Sequence, residues 1–448
     1  MQEIRASALA FLILFARLAA GSGMMNVVFE PSSVRQLEMM SSRSVIVWTN
    51  NHSFANQSLC AFSSVTEVAD VYEQPLEFEL AEDGSHSKYK SNFTIVGRFL
   101  GYSKVYLRTC AQDTRDWEDS EKMTVSVISM DNVIDSNIFI GTFAVLIIFA
   151  NFNFGCALDL TVVEKALKKP IGITIGLFSQ FVFMPLMSFF TARLLFPGQP
   201  ALQFGLFFAG CSPGGVGSNL WTLILDGNLD LSVTMTAVST FASFLTIPFW
   251  VFTLGHVIFA DAEIGIPYKN LVLTTATLLF PLLGGVCIKC KYPKVAKFLA
   301  KTLKPLAGVT IIYTTAATFL KAFLFKLVNL RLLMACISNP ILGYLFGAIL
   351  SMLFRQSEKD VIAISIETGL QNLGIAILLL KTTLERPERD ISEVVPLIIV
   401  IATQVPLGIL FVISKIRNRN RANRIVETDA SEDSFPLKKM PIIVEMQA

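Results

Sequence analysis

Apolar and polar residues alternate one by one in several stretches near the N-terminus, then give way to long apolar runs that continue almost to the C-terminus. The alternating stretches include Ser44-Val45-Ile46-Val47-Trp48-Thr49, Leu76-Glu77-Phe78-Glu79-Leu80, Thr94-Ile95-Val96-Gly97-Arg98-Phe99 and Met123-Thr124-Val125-Ser126-Val127-Ile128. A period of two between turn-like clusters predicts strands with one face buried, so residues 23–135 read as a small antiparallel β-sandwich. From 136 to 414 the apolar runs predict nine spans, near 137–159, 170–195, 202–225, 230–259, 268–289, 305–325, 331–354, 361–381 and 393–414. Most are long enough to cross ~30 Å of hydrocarbon. The expected fold class is an all-α polytopic membrane protein preceded by a β-rich domain.

Residues 1–22 combine Arg5, an apolar run from Ala8 to Ala20 interrupted by Arg17, and the small residues Ala19, Ala20, Gly21 and Ser22. This is the layout of a secretory signal peptide, with a retained membrane anchor as the alternative. Basic residues cluster after span one (Lys165, Lys168, Lys169), after span five (Lys289, Lys291, Lys294, Lys297, Lys301, Lys304) and after span seven (Arg355, Lys359). The positive-inside rule assigns these loops to the cytoplasm and the β-rich domain to the outside, with the plasma membrane as the expected location. Residues 415–448 begin basic (Lys415, Arg417, Arg419, Arg421, Arg424), then turn acidic (Glu427, Asp429, Glu432, Asp433), and read as a disordered cytoplasmic tail.

Composition narrows the class. The chain of 448 residues is 53% hydrophobic and 16% charged, and a net charge of +2 is too small to argue for a nucleic-acid partner. Cys60 and Cys110 are the two cysteines of the outer region, where an oxidising compartment permits one disulfide between them. Asn51, Asn56 and Asn92 head glycosylation sequons. His52, His86 and His256 form no Ser/His/Asp or metal-ligand constellation, and no GxxxxGK loop occurs, so neither an enzyme nor an ATP-driven pump is expected.

Two spans are interrupted by polar strings: Cys211-Ser212-Pro213-Gly214-Gly215-Val216-Gly217-Ser218-Asn219 in the third and Glu367-Thr368-Gly369-Leu370-Gln371-Asn372 in the eighth. A helix breaks at membrane depth only where the gap lines a cavity or is buried in protein, and a related pair of breaks points to a midplane binding site. Taken singly, Pro213, Gly214 and Gly215 read either as a kink or as part of a site, Ser232 and Thr236 more often as packing hydroxyls bonded to their own backbone, and Gln180 equally as an interhelical hydrogen bond or a ligand. Glu367 differs, because a carboxylate in hydrocarbon is expensive unless paired and its own segment offers no partner.

These two strings, together with Asp226-Gly227-Asn228-Leu229-Asp230-Leu231-Ser232-Val233-Thr234-Met235-Thr236, resemble the sodium/bile acid cotransporter family across roughly residues 137–414. The resemblance implies inverted repeats arranged as a core and a panel domain, with two broken helices crossing in the core beside two sodium ions. Carried over by residue, the first sodium site takes Ser218, Asn219, Ser232, Thr236 and Glu367. The second takes Gln180, Glu367 and Gln371, with backbone carbonyls around Thr368 and Leu370. Val216 stands where bile-acid-transporting relatives often have Thr, and Asn372 lies beside the second site as a donor to an organic anion. The implied function is sodium-coupled symport of an amphipathic organic anion, a bile acid or a sulfated steroid, by alternating access. The β-rich region, absent from the well-known bile acid carriers, keeps a second reading open: a receptor or adhesion protein whose membrane part does not transport. Nothing in the sequence fixes an oligomeric state.

Overall fold

A computed structural model describes residues 27–432, apart from 51–57, 84–85, 111–118, 130–136, 262–267, 317–325, position 216 and scattered positions within 159–169 and 303–315. The expected signal segment, the sequons at Asn51 and Asn56, Val216 and most of the sixth expected span, 305–325, lie outside the described residues. The chain divides into two compact units, one running to Phe143 and including Leu384–Glu393, the other made of Ala144–Thr383 and the residues from Val394 onward.

Among the described residues, the first unit contains nine strands: β1 Val27–Glu30, β2 Ser33–Glu38, β3 Ser42–Thr49, β4 Leu59–Ser63, β5 Ala69–Tyr72, β6 Glu79–Asp83, β7 His86–Gly97, β8 Gly101–Thr109 and β9 Met123–Ile128. One sheet runs β1-β3-β7-β5 with β6 also on β7, and the other runs β2-β9-β8-β4. The alternation works as expected. Val45, Val47, Phe93 and Ile95 from the first sheet meet Val34, Val105, Leu107 and Val125 from the second in one apolar core. The expectation of a purely antiparallel sandwich needs correcting, because β2 pairs with β9 in parallel, Ser33 opposite Thr124. Hydrophobic period reports which face of a strand is buried and carries no information on strand direction. Between Val34 and Leu37 β2 is bulged, with Gln36 at φ 56° and its N–H donating to Ser126 Oγ at 2.9 Å. Cys60 and Cys110 form a disulfide, and Asn92 stands exposed on β7 opposite Ile46.

The remaining described elements are helical: α1 Asn137–Ala157, α2 Pro170–Leu195, α3 Pro200–Cys211, α4 Gly217–Ile224, α5 Leu229–Ala260, α6 Tyr268–Lys291, α7 Pro293–Lys301, α8 Leu330–Leu353, α9 Glu358–Gly369, α10 Leu373–Thr383, α11 Glu388–Ser392 and α12 Val394–Glu432. Five helical stretches among the described residues are long and apolar enough to cross a membrane: Pro170–Leu195, Leu229–Ala260, Lys269–Lys291, Leu330–Leu353 and Glu388–Ile416. The protein is thus a mostly helical polytopic membrane protein with an N-terminal β-sheet domain. The interrupted third and eighth spans are the half-helix pairs α3 with α4 and α9 with α10. Helices α1 and α6 approach backbone to backbone. A Cβ on Gly155 would overlap Leu282 O, and one on Gly285 would overlap Phe152 O, which is the small-residue mode of membrane helix packing. The tail expectation also changes, since α12 continues to Glu432 and residues 415–432 are helical. That stretch carries four Arg and contains neither Gly nor Pro, so no strong helix breaker stops it.

Phe93 is fully buried where the two sheets meet. Phe93→Ala is expected to destabilise the β-domain by about 3–5 kcal/mol, read as a lowered thermal midpoint in Trp48 fluorescence while α-helical circular dichroism is retained.

Candidate ion-binding site

The chain leaves α3 at Ser212, whose φ of −70° and ψ of 148° are extended, and leaves α9 at Leu370, with φ −102° and ψ 93°. The two extended pieces lie antiparallel, with Gly214 opposite Gln371. Gly215 N donates to Leu370 O at 2.9 Å and Asn372 N donates to Pro213 O at 2.8 Å. Each break therefore satisfies backbone groups freed by the other, which is what permits both at membrane depth. Gly214 is required here, since a Cβ on it would overlap Glu367 Oε1.

One further helix, α5, sets the level of the crossing. Asn228 caps α5 by accepting from Leu231 N at 3.1 Å, and its side chain donates to Asp360 Oδ1 at 2.6 Å. Asn228 N also donates to Lys359 O at 2.9 Å. The start of α5 is thereby tied to the start of α9. From this common origin Ser232 and Thr236, four apart and so on one face of α5, come level with Glu367 near the end of α9.

Around the buried Glu367 carboxylate the first predicted set assembles. Ser218 Oγ donates to Oε2 at 2.5 Å, Thr236 Oγ1 to Oε1 at 2.7 Å, and Ser232 Oγ lies 3.5 Å from Oε2. Asn219 Oδ1 accepts from Ser232 Oγ at 2.8 Å and lies 3.4 Å from Thr236 Oγ1. One carboxylate, three hydroxyls and an amide oxygen thus converge from α4, α5 and α9. All are hard oxygen donors, and a hydroxyl that donates to a carboxylate keeps lone pairs for a cation. The donor set fits a small hard cation.

The second predicted set gathers only in part. Gln180 Nε2 donates to Ser212 O at 2.6 Å. In the amide orientation that satisfies both its polar atoms, Gln371 donates to the Ala209 and Ser212 carbonyls and accepts from Gln180 Nε2 at 3.3 Å. Gln180 Oε1 is buried without a hydrogen-bond partner among the described residues, an orphaned acceptor of the kind a cation satisfies. Gln180 itself lies in a π-helical turn, Ser179–Phe183, within α2, a local widening common at functional sites. Thr368 Oγ1 is turned back onto Ile364 O at 2.8 Å, so its carbonyl is the group left for a ligand role, and Leu370 O already accepts from Gly215 N. Asn372 Oδ1 accepts from Ile375 N at 3.3 Å and so caps α10.

Three contributors lie outside the two predicted ligand sets. Thr222 donates to Ser232 Oγ at 3.2 Å, and its position one helical turn after Ser218 was the available signal. Ser212 contributes its carbonyl and Gly214 its missing Cβ, neither of which residue type alone reveals.

With this geometry in place, comparison with known proteins shows a partial match: residues 144–326 are similar to the sodium bile acid symporter family. The match includes Gln180, Ser218, Asn219, Ser232 and Thr236, while Glu367 and Gln371 lie beyond it. A sodium-dependent organic anion transporter of Bos taurus is 30% identical over 240 residues, covering 53% of this chain and 63% of that protein. The human protein of the same name is 31% identical over 233 residues, covering 51% and 61%. The ileal sodium/bile acid cotransporter of Mus musculus is 27% identical over 314 residues, covering 68% and 88%. The chain spans less than two thirds of the length of the organic anion transporters it matches. The family is one of transporters, not enzymes.

Because the Glu367 carboxylate occupies the space that a Gly214 Cβ would need, Gly214→Ala is expected to weaken apparent sodium affinity by about tenfold or more. The sodium-dependent shift in thermal unfolding of the purified protein, titrated in sodium against choline, measures it.

Proposed function

We propose that this protein is a sodium-coupled symporter of amphipathic organic anions, of the bile-acid or sulfated-steroid class. The observation that carries the reading is the buried Glu367 carboxylate, held by Ser218, Ser232 and Thr236 where two broken helices cross. A buried acid with hydroxyl and amide oxygens around it has an obvious electrostatic partner in a monovalent cation. The names of the similar organic anion and bile acid transporters support sodium coupling and an anionic cargo.

In this reading Ser218, Asn219, Ser232, Thr236 and Glu367 hold one sodium ion. A second sits with Gln180, Glu367, Gln371 and the Thr368 and Leu370 carbonyls, taking up the orphaned Gln180 oxygen. Binding of cations draws the two half-helix pairs together, and the anion binds beside them near Val216, Asn219 and Asn372. Exposed half-helix N-termini favour its negative group. Nine spans in inverted repeats then alternate access between the two faces of the membrane by rocking of a core against a panel.

The same reading places the protein in the plasma membrane. A cleaved signal segment (1–22) precedes an extracellular domain (23–135) glycosylated at Asn51, Asn56 and Asn92. The membrane domain (136–414) and a cytoplasmic C-terminal segment (415–448) follow.

Cells expressing the protein are expected to accumulate labelled taurocholate or a steroid sulfate only with external sodium, with uptake in Glu367→Ala falling to the level of untransfected cells. Equal uptake in sodium-free medium sinks the coupling. Absence of uptake together with absence of any sodium-induced thermal shift favours the second reading, a non-transporting receptor or adhesion protein acting through its β-sandwich.

A further inference from the structure

Residues 289–304, from the end of α6 through α7, carry six lysines and no Asp or Glu. Within α7 the lysines are ordered. Lys294, Lys297 and Lys301 follow one another at intervals of three and four residues, so they share one face of the helix. Val295 and Phe298, three apart, form an adjoining apolar stripe that Tyr292 continues just before the helix. This stripe faces outward: Phe298 is 67% exposed, and Val295 and Tyr292 are each 50% exposed. Ala296 is the one buried residue of α7. An exposed apolar stripe beside a basic one suits neither water nor the hydrocarbon interior, and it suits the boundary between them.

Both ends of α7 are held at that boundary. Helix α6 is apolar and long enough to cross a membrane as far as Lys291, and the chain leaves it at Tyr292, with φ −133° and ψ 70°. Pro293 then opens α7, where a missing N–H costs nothing. At the far end Thr302 follows the last residue of α7, and its Oγ1 accepts from Asn153 Nδ2 at 3.0 Å. Asn153 is buried in α1, about one helical turn before that helix ends at Ala157. Helices α1 and α6 touch backbone to backbone at Gly155 and Gly285, so their ends lie side by side. One end of α7 therefore grows out of a span and the other is bonded to that span's neighbour. A short helix tied in this way runs along the membrane boundary instead of projecting from it.

We propose that α7 is an interfacial helix that docks on an anionic phospholipid surface. Tyr292, Val295 and Phe298 enter the boundary between headgroups and acyl chains, and Lys294, Lys297 and Lys301 reach the lipid phosphates with their stems along the apolar stripe. Charge decides the occupant. A neutral apolar partner would leave the ammonium groups uncompensated, whereas each lysine near an anionic surface strengthens binding about fivefold. The positive-inside rule puts this segment on the cytoplasmic side, where the leaflet carries anionic lipid. The docking stands apart from the transport reading and does not rest on it.

Amide hydrogen exchange on the full-length protein, one copy per nanodisc, tests the docking in phosphatidylcholine with and without added phosphatidylserine. Peptides covering 293–301 are expected to exchange about tenfold more slowly in the anionic discs, and high salt erases the difference. The triple variant Lys294→Gln, Lys297→Gln, Lys301→Gln also removes the difference. All three lysines are exposed, so the fold survives the change, and slow exchange within 270–286 reports an intact α6. Equal exchange of the wild-type segment in the two lipids overturns the proposal. Slowing by inorganic phosphate in neutral discs, as large as that by phosphatidylserine, makes this a site for a free anion and overturns the lipid surface. Protection that appears only in discs holding two copies assigns the face to a second copy of the chain and overturns it as well.

Discussion

Everything in the membrane part depends on one constraint: a peptide group released from a helix inside hydrocarbon must find another partner. Here the partners are the two releases themselves. Gly215 bonds to Leu370 and Asn372 bonds to Pro213, so two defects that are each untenable alone become a two-strand bridge. The bridge brings α4, α9 and α10 to one point, and the Asn228–Asp360 tie brings α5 to the same point. A candidate ion site assembled this way needs no loop at membrane depth that is exposed to lipid.

The bridge also explains the choice of side chains around it. A carboxylate as deeply buried as Glu367 would be prohibitive without compensation, and three hydroxyls drawn from two elements supply it, with no basic residue paired to it among the described residues. A lysine or arginine there would neutralise the acid permanently. Hydroxyls and an amide oxygen support the charge without cancelling it, which leaves the carboxylate electrostatically open to a mobile cation. The glycine at 214 belongs to the same logic, since any side chain would push the acid away from the crossing.

Much of this was legible in the sequence because it is written in residue type and spacing. Glu367 in an apolar run, Ser232 and Thr236 four apart, and Pro-Gly-Gly in the third span each announce themselves. The strand faces of the β-domain were legible for the same reason, as Val45, Val47, Phe93 and Ile95 fall on one side of a period-two pattern. Features created by the backbone were not legible. The π-helical turn that carries Gln180 arises from helix geometry with no distinctive composition, and the parallel pairing of β2 with β9 depends on how the chain crosses between sheets. Residues 415–432 misled in another way, because high charge reads as disorder until the absence of any Gly or Pro between them and the apolar part of α12 is weighed against it.

The crossing carries a consequence for biosynthesis. Ser218 and Glu367 are separated by 149 residues, so at about 5–20 residues per second the first break is made on the order of 10 s before its complement exists. During that interval the freed groups of Ser212-Pro213-Gly214-Gly215 must be satisfied by water, by the insertion machinery or by a chaperone. The nascent chain is most exposed to quality control in this window. A truncation after α8 leaves the chain permanently in it.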